Sequence, residues 1–426
     1  MKYLKRLTEI SLLIFVFLLP WQTKLILRPD INNFNEISLY LSQIVLLLTI
    51  IFFLSYQLLK KREDKKVPKI WYFLGVLEIF YFISFFFAQD KLLATYSFTV
   101  LLFGLTLFYL LRVGLNKAQY EDSCFNRVRA IYVFLTSIFL HSVLGIYQFL
   151  TQSSFANKYF GLASHDPQVL GTSVIEASSG RWLRAYGGFD HPNIFGGVLV
   201  FALLLTAFLL AKRKIINSRI QAYGLLLMFV SYFVYLTALF FTFSRAAWLA
   251  FFVGLIFLAV GIVRKEDKWV RGRFFILIFF SIVLFLLAAL PYKDLIGSRL
   301  TADSRLEQIS LTERTSQVFS AKNVIKKNPI FGIGAGNYVN FVEKEFDAKN
   351  DFVQPVHNSY LLLWAESGIL SLLALLLFFY FLIRDGRRQT FSLAVIVALL
   401  LLMIFEHWFF SLPFGIIFFF FILGVI

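Results

Sequence analysis

The sequence of 426 residues is short of charge and almost free of cysteine, and each shortage excludes a class of protein. Charged residues make up only 15% of the chain, whereas an average soluble protein has about 25%. The single cysteine, Cys124, cannot form an intrachain disulfide, so a disulfide-stabilised secreted fold is excluded. Because 59% of the residues are hydrophobic, the composition also excludes an ordinary soluble chain.

Motifs that bind nucleotides or metals are missing as well. The sequence has no P-loop, no HExxH and no cysteine–histidine cluster with metal-ligand spacing, which leaves ATP-driven pumping and zinc catalysis unsupported. The glycine run Gly332–Gly336 follows a predicted helix rather than a strand, so it does not indicate a dinucleotide site. It predicts a tight turn, with a phosphate-binding backbone as the alternative. We expect neither a metal nor a cofactor.

Long apolar runs take the place of these features. They are hydrophobic on all faces and about 20 residues long, as helices that cross a bilayer are. They predict an all-α integral membrane protein with about 12 transmembrane helices, forming a single domain over residues 1–426. No small-residue cleavage site follows the first run, so we expect it to stay as an uncleaved helix. The runs lie at about 7–27, 37–59, 70–88, 92–112, 130–150, 192–211, 220–242, 246–263, 274–291, 358–383, 391–408 and 411–426.

The net charge of +16 is distributed unevenly along the chain. More than half of the 41 lysines and arginines fall at the N-terminus and in every second connection between the apolar runs. By the positive-inside rule, these connections and both termini face the cytoplasm. The charge is therefore an orientation signal in a cell (inner) membrane protein, and we predict no nucleic-acid partner. The clusters are Lys2–Arg6, Lys60–Lys69, Arg112–Arg129, Lys212–Arg219, Arg264–Arg273 and Arg384–Arg388.

Two long segments, 151–191 and 292–357, fall on the opposite face. In the second, Thr312 is a candidate N-cap, a hydrophobic stripe follows over Val318–Ile325, and Asn328–Pro329 ends the pattern. We expect residues 292–357 to form a large extracytoplasmic loop that carries short amphipathic helices on the membrane surface.

Two groups of polar residues lie where these segments meet predicted spans. Arg181, Arg184, His191 and Asn193 stand among glycines directly before a span, where an interfacial anchor is the alternative to a ligand site. Arg245 is isolated between two apolar runs, and its alternative role is to snorkel to lipid headgroups. A guanidinium group in such a place is suited to bind phosphate in a bidentate manner.

Two further groups follow along the chain. Arg314 falls on the predicted surface helix, and His357 begins a span at the predicted outer rim, followed by Asn358 and Tyr360. Histidine can accept a proton near neutral pH, although a lone histidine is more often structural. We assign no role to the remaining histidines, His141, His165 and His407.

Taken in order, these segments resemble the O-antigen ligase and O-antigen polymerase superfamily over residues 180–370. The resemblance implies a membrane glycosyltransferase of the C-type architecture. Such an enzyme moves a glycan from an undecaprenyl-diphosphate carrier to an acceptor hydroxyl at the extracytoplasmic face, without metal or nucleotide. The matching pieces are RAYGGFDHPN at 184–193, SRAAW at 244–248, NPIFGIGAGN at 328–337 and HNSYLLLWAESG at 357–368.

The resemblance also implies roles for individual residues. Arg184, Arg245 and Arg314 would bind the donor diphosphate, and His357 would be the base that activates the acceptor. Supporting roles would fall to His191, Asn193, Asn358 and Tyr360. The displacement would invert the configuration of the sugar. The acceptor could be a lipid such as the lipid A–core of lipopolysaccharide, a protein hydroxyl or another glycan.

Three alternatives to a ligase stay open at this point. A polymerase that acts on lipid-linked repeats would share the same motifs. A glycan or lipid-linked oligosaccharide transporter would share the twelve spans, but the sequence has no pair of broken helices or half-to-half repeat such as many transporters have. A structural assembly subunit would not account for the isolated Arg245.

Overall fold

The computed structural model describes residues 1–59, 68–114, 125–212, 219–301, 305–345, 353–386 and 390–426. Within these ranges the fold is helical, with two small antiparallel hairpins. The helices are α1 (Lys2–Leu18), α2 (Leu41–Leu59), α3 (Ile70–Ser84), α4 (Lys91–Gly114), α5 (Arg127–Thr151), α6 (Pro192–Lys212), α7 (Arg219–Phe241), α8 (Arg245–Lys265), α9 (Lys268–Ala289), α10 (Lys293–Thr301), α11 (Arg305–Lys327), α12 (Tyr338–Glu345), α13 (Ser359–Gly386), α14 (Thr390–Phe405), α15 (Trp408–Ser411) and α16 (Pro413–Val425). The strands are β1 (Lys24–Arg28), β2 (Ile37–Tyr40), β3 (Val174–Ala177) and β4 (Gly180–Leu183).

Nine helices in the described part of the chain are long and apolar enough to cross a membrane. Two more apolar helices, α14 and α16, are shorter, and α1 overlaps the first half of the first predicted run. The helical, multi-pass character predicted from the sequence is therefore confirmed, whereas the count of twelve spans stays a prediction. Helix α6 is the centre of the bundle, since 83% of its apolar window is buried. It can be hydrophobic on every face because it has protein on every side.

The two hairpins were not expected in an all-α fold. The first apolar run stops as a helix at Leu18, close to Pro20, which has no N–H with which to continue the hydrogen-bond ladder. Residues farther along the same run form β1, which pairs with β2, Lys24 opposite Tyr40. The second hairpin joins β3 to β4 with Ala177 opposite Gly180. It ends directly before Arg184 and so fixes the approach of that residue to the bundle.

The long connections meet at one end of the bundle, called the rim end below. Thr23 Oγ1 donates a hydrogen bond to the Tyr159 carbonyl at 2.8 Å. Asn32 Nδ2 donates to the Val353 carbonyl at 2.8 Å. Ser359 Oγ donates to the Glu406 carbonyl at 2.6 Å. These contacts join connections that are far apart in the sequence. They are the connections that the predicted topology places on the same side of the membrane.

The opposite end, called the basic end below, carries the described parts of the basic clusters. Lys212 forms an ion pair with Glu266 at 2.8 Å, and Arg129 with Glu9 at 3.0 Å. Much of four clusters lies outside the described residues, at positions 60–67, 115–124, 213–218 and 387–388. These ion pairs agree with the prediction that the basic connections lie on one side of the membrane. That this side is the cytoplasmic one stays a prediction.

The predicted surface helix is present but longer than expected. Helix α11 runs for 23 residues and begins at Arg305, so the prediction that Thr312 caps its start is wrong. Thr312 lies inside the helix, where its Oγ1 donates to the Gln308 carbonyl at 2.9 Å, as hydroxyl groups often do within helices. The helix ends at Lys327, directly before Asn328–Pro329, as predicted.

The glycine run forms a tight turn that packs onto the bundle. Gly332, Gly334 and Gly336 all have positive φ, at 73°, 102° and 71°. A Cβ on Gly334 would lie 2.4 Å from the Cβ of Ala88, so only glycine fits. The Gly334 amide donates to the Glu366 carbonyl at 2.9 Å. Because the turn uses its amides for packing, the alternative of a phosphate-binding backbone is not supported.

Candidate functional site

Arg184 is held at the rim end by three hydrogen bonds to uncharged groups. It follows β4, and its Nε donates to the Thr242 carbonyl at 2.7 Å. Its Nη1 donates to Ser173 Oγ at 2.8 Å, and its Nη2 to Asn193 Oδ1 at 2.6 Å. Burial lowers the pKa of Arg184 to about 10, with repulsion from Arg245 acting in the same direction. The side chain therefore stays charged at neutral pH while hydrogen-bonded to neutral partners.

His191 and Asn193 form the layer that supports Arg184. The Asn193 amide donates to His191 Nδ1 at 3.1 Å, at the start of α6. The Asn193 side chain also lies close enough to Glu406 to lower the pKa of that carboxyl group. Burial, and then the charge of Arg184, lower the pKa of His191 well below its ordinary value, so its ring is neutral. Asn193 thus links an arginine to a buried carboxyl group on another part of the chain.

Arg245 is aimed by a strained turn between α7 and α8. Phe243 has a positive φ of 47°, which is unfavourable for a bulky residue. Ser244 caps α8 by accepting a hydrogen bond from the Ala247 amide at 3.4 Å. Arg184 contacts the carbonyl of Thr242 in this turn, so that the two arginines are positioned by the same backbone.

Arg245 points toward α10 and α11 and not toward lipid headgroups. Its Nη1 donates to the Arg299 carbonyl at 2.8 Å, and its Nη2 lies 2.8 Å from Glu307 Oε2. Arg299 Nη1 pairs with the other oxygen of Glu307, and its Nη2 donates to the Phe243 carbonyl at 3.0 Å. These contacts argue against snorkelling, since the guanidinium has protein partners on both of its terminal nitrogens.

Arg314 is the fourth arginine of the cluster. It lies on α11 with its side chain partly exposed, and no hydrogen bond or ion pair joins it to another residue in the described part of the chain. It is close enough to lower the pKa of His357. Its guanidinium donors are therefore available to a ligand.

His357 lies beside this cluster, directly before α13. Its Nδ1 is buried and has no hydrogen-bond partner within the described ranges. Burial lowers the pKa of His357 to about 4, and the positive charge of Arg314 adds to the effect. The ring is therefore neutral near pH 7 and can accept a proton. In the described chain, no group of three or more histidine, cysteine or acidic side chains has the arrangement of a metal site.

His407 and Glu406 belong to the same site, although neither was predicted from the sequence to have a role. The rings of His407 and His357 lie 4.8 Å apart at 70°. His407 Nδ1 forms a hydrogen bond with Ser411 Oγ at 2.6 Å. Burial raises the pKa of the Glu406 carboxyl to about 7, opposed by the charges of Arg314 and Arg184. The available signal was a charged residue close to the end of the apolar run 391–408.

Arg299 and Glu307 were also missed. Both fall in the long segment 292–357, which carries many charges, and nothing in their local sequence sets them apart. Their role depends on contacts with Arg245, 54 and 62 residues away in the chain. Such pairing is decided by tertiary structure, and one sequence cannot show it.

Asn358 and Tyr360 hold helices in place and do not face the arginines. Asn358 Oδ1 accepts hydrogen bonds from the amides of Tyr360 at 3.0 Å and Leu361 at 2.9 Å, so it caps the start of α13. The Tyr360 hydroxyl donates to the Leu400 carbonyl of α14 at 3.0 Å. They therefore fix the helix that presents His357, and their supporting roles in the site stay a prediction.

The fold and the site define a multi-pass membrane protein with a cluster of four arginines and a neutral histidine at one end. The family model for O-antigen ligase matches residues 230–376, a segment that begins in α7, ends in α13 and contains Arg245, Arg314 and His357. Residues 230–376 are therefore similar to O-antigen ligases, and the resemblance to this superfamily is confirmed over that segment. Arg184, His191 and Asn193 precede the matched segment. No curated protein sequence matches the chain.

Proposed function

We propose that this protein is a membrane glycosyltransferase that moves a glycan from an undecaprenyl-diphosphate carrier to an acceptor hydroxyl. The observation that carries the proposal is the meeting of four arginines with one neutral histidine at the rim end. Four cations close together in a poorly hydrated region repel one another, and Glu307, which pairs with two of them, supplies a single negative charge. A donor diphosphate would supply further negative charge. The arginines are Arg184, Arg245, Arg299 and Arg314.

The arginines stabilise the leaving group. When the bond from the anomeric carbon to the diphosphate breaks, the diphosphate oxygen keeps the electron pair and negative charge develops there. Fixed cations in a poorly hydrated site stabilise that charge most, at about 1.5–3 kcal/mol for each charge-assisted hydrogen bond. Arg245 and Arg314 are partly exposed and can contact the diphosphate, while Arg184 contributes its charge from behind them.

His357 acts on the acceptor. Its neutral ring accepts the proton of the acceptor hydroxyl while the hydroxyl oxygen bonds to the anomeric carbon. With the base and the diphosphate on opposite sides of that carbon, a single displacement inverts its configuration. Neither step uses a metal or a nucleotide, because the donor linkage already contains the required free energy.

The rim end faces the extracytoplasmic side of the inner membrane, with both termini in the cytoplasm. Support comes from the basic clusters, which the positive-inside rule assigns to the other face. The acceptor is a lipid, such as the core of lipopolysaccharide, a protein or a growing glycan. A polymerase of lipid-linked repeats therefore remains the alternative within the family, and a glycan transporter the alternative outside it.

The test is glycan transfer by the purified full-length protein in detergent, with an undecaprenyl-diphosphate-linked glycan and a candidate acceptor. We expect His357→Ala to reduce turnover by roughly 100-fold or more, as loss of a positioned base does. His165→Ala, in a histidine that stacks on Tyr186, is the matched control and should retain activity. Full activity of His357→Ala would show that His357 is not the base. Absence of transfer with every acceptor would favour the transporter.

A further inference from the structure

Glu307 holds two arginines of the site at once. Its Oε2 lies 2.8 Å from Arg245 Nη2, and its Oε1 pairs with Arg299 Nη1. The Glu307 side chain is only 5% exposed, whereas that of Arg245 is 35% exposed. The carboxylate therefore lies behind Arg245, on the protein side of the pair, and Arg245 is open to an approaching ligand.

A carboxylate in this position resembles a bound phosphate. Each of its oxygens accepts from a different guanidinium group, which is the arrangement that arginines form with both carboxylates and phosphates. Four arginines in one poorly hydrated region repel each other, and a negative group between two of them reduces that repulsion while no ligand is bound. The donor diphosphate carries the same kind of charge in a larger amount.

We propose that Glu307 occupies, in the free protein, the place that a phosphate group of the donor takes on binding. The inference rests on the proposed function. The diphosphate first contacts Arg245, which is partly exposed, and then replaces Glu307 as the partner of both arginines. Arg299 thereby becomes a donor-binding residue, and Glu307 a carboxylate that competes with the donor for the same guanidinium groups.

The exchange needs movement only at the start of α11. Glu307 is in the first turn of that helix, and its release from Arg245 and Arg299 loosens this turn while the rest of the helix stays in place. Arg299 keeps its hydrogen bond from Nη2 to the Phe243 carbonyl, at 3.0 Å, when Glu307 leaves. Only molecules in which Glu307 has released the arginines can bind the donor. The apparent affinity is therefore the intrinsic affinity multiplied by the fraction of molecules in that open state.

The test compares wild type, Glu307→Gln and Glu313→Gln as full-length proteins in detergent, with farnesyl diphosphate as the probe and equilibrium dialysis as the measurement. Glutamine has nearly the same shape as glutamate but no charge. We expect Glu307→Gln to lower the Kd about tenfold, as it would if roughly a tenth of the wild-type molecules have the site open. Glu313 is exposed on the same helix, and Glu313→Gln should bind like wild type.

An unchanged or higher Kd in folded Glu307→Gln would overturn the inference, since Glu307 would then be a fixed structural clamp. That result, with binding by wild type, would leave the proposed function intact. Absence of binding by all three proteins would overturn the diphosphate site and therefore both proposals.

A second measurement covers the case in which Glu307→Gln does not fold. Hydrogen exchange of wild type is followed with and without saturating farnesyl diphosphate. Release of Glu307 should speed amide exchange in the first turn of α11, residues 305–310, and leave the far end, residues 322–327, unchanged. Unchanged or slower amide exchange at residues 305–310 would contradict the proposal that the diphosphate replaces Glu307.

Discussion

At the scale of single residues, the partners of each arginine determine what it can do. Arg184 is buried and uses its donors on three neutral oxygens, so it acts through its charge and holds the turn before α8. Arg245 is partly exposed and bonds to groups that an anion can replace. The sequence predicted that both would lie at the rim, because both adjoin apolar runs. It could not predict this division, which depends on the distant residues Thr242 and Glu307.

Arg245→Lys should impair transfer. A lysine ammonium cannot offer the diphosphate the fork of two terminal nitrogens that Arg245 has, which in the free protein bind the Arg299 carbonyl and Glu307. Loss of one charge-assisted bond of about 1.5–3 kcal/mol lowers kcat/KM roughly 10- to 100-fold. The measurement is the initial rate of glycan transfer over a range of donor concentrations.

Arg264→Lys is the matched control, because Arg264 is exposed in the last turn of the same helix, at the basic end. It should transfer glycan like wild type. Equal rates for Arg245→Lys and wild type would mean that Arg245 only anchors the helix.

The pH dependence of transfer should report His357. Because its pKa is lowered to about 4, the ring is unprotonated above that pH, and kcat/KM should fall as the pH decreases through about 4. Arg314→Gln removes a positive charge that contributes to this lowering. The acid limb should then move to higher pH, without reaching the ordinary value of about 6.5, since burial is the larger cause.

Lys322→Gln is the control for the pH profile, since Lys322 is exposed on the same helix and is not among the groups that shift His357. Its acid limb should coincide with that of wild type. An Arg314→Gln profile with an unmoved limb would show that another group controls the acid side.

At the scale of elements, hydropathy locates the spans better than their ends. The apolar run at 7–27 contains both α1 and β1, because hydropathy does not show whether the backbone hydrogen bonds locally or to another strand. The hairpin of β3 and β4 was missed for a related reason: four-residue strands give little periodic signal. The start of α11 was placed too late because Thr312 is a residue type that caps helices and also occurs inside them.

Gly334→Val should destabilise the protein. Gly334 has a φ of 102°, and an added Cβ would lie 2.5 Å from the Cα of Ala88. The turn connects α11 to the bundle, so we expect a loss of about 1–3 kcal/mol and a lower Tm in a detergent melting experiment. Gly272→Ala in α9, where nothing lies within 4 Å of the new Cβ, should leave the Tm unchanged or raise it. Equal Tm values for Gly334→Val and wild type would show that the turn tolerates a side chain.

At the scale of the whole molecule, the site forms because alternate connections share one end of the bundle. Arg184, Arg245, Arg314 and His357 come from three connections that are separate in the sequence, yet each connection joins two predicted spans at the rim end. Arg314 and His357 share the connection 292–357. The sequence predicts that these connections lie together, because each span carries the chain to the other side of the membrane. Every second connection therefore lies on the same side. The pairings within the site, such as that of His357 with His407, depend on how the helices rotate and pack.

The same alternation predicts which end of the bundle faces outward, and labelling of single cysteines can test it. In a Cys124→Ser background, Glu313→Cys places a thiol on exposed α11 at the rim end, and Arg264→Cys places one at the basic end. A membrane-impermeant maleimide added to intact spheroplasts should label the first and not the second. Both should be labelled after lysis, which serves as the control for access. Labelling of Arg264→Cys alone in intact spheroplasts would place the arginines and His357 on the cytoplasmic side. That result would contradict both the orientation from the positive-inside rule and the proposal of an extracytoplasmic glycan donor.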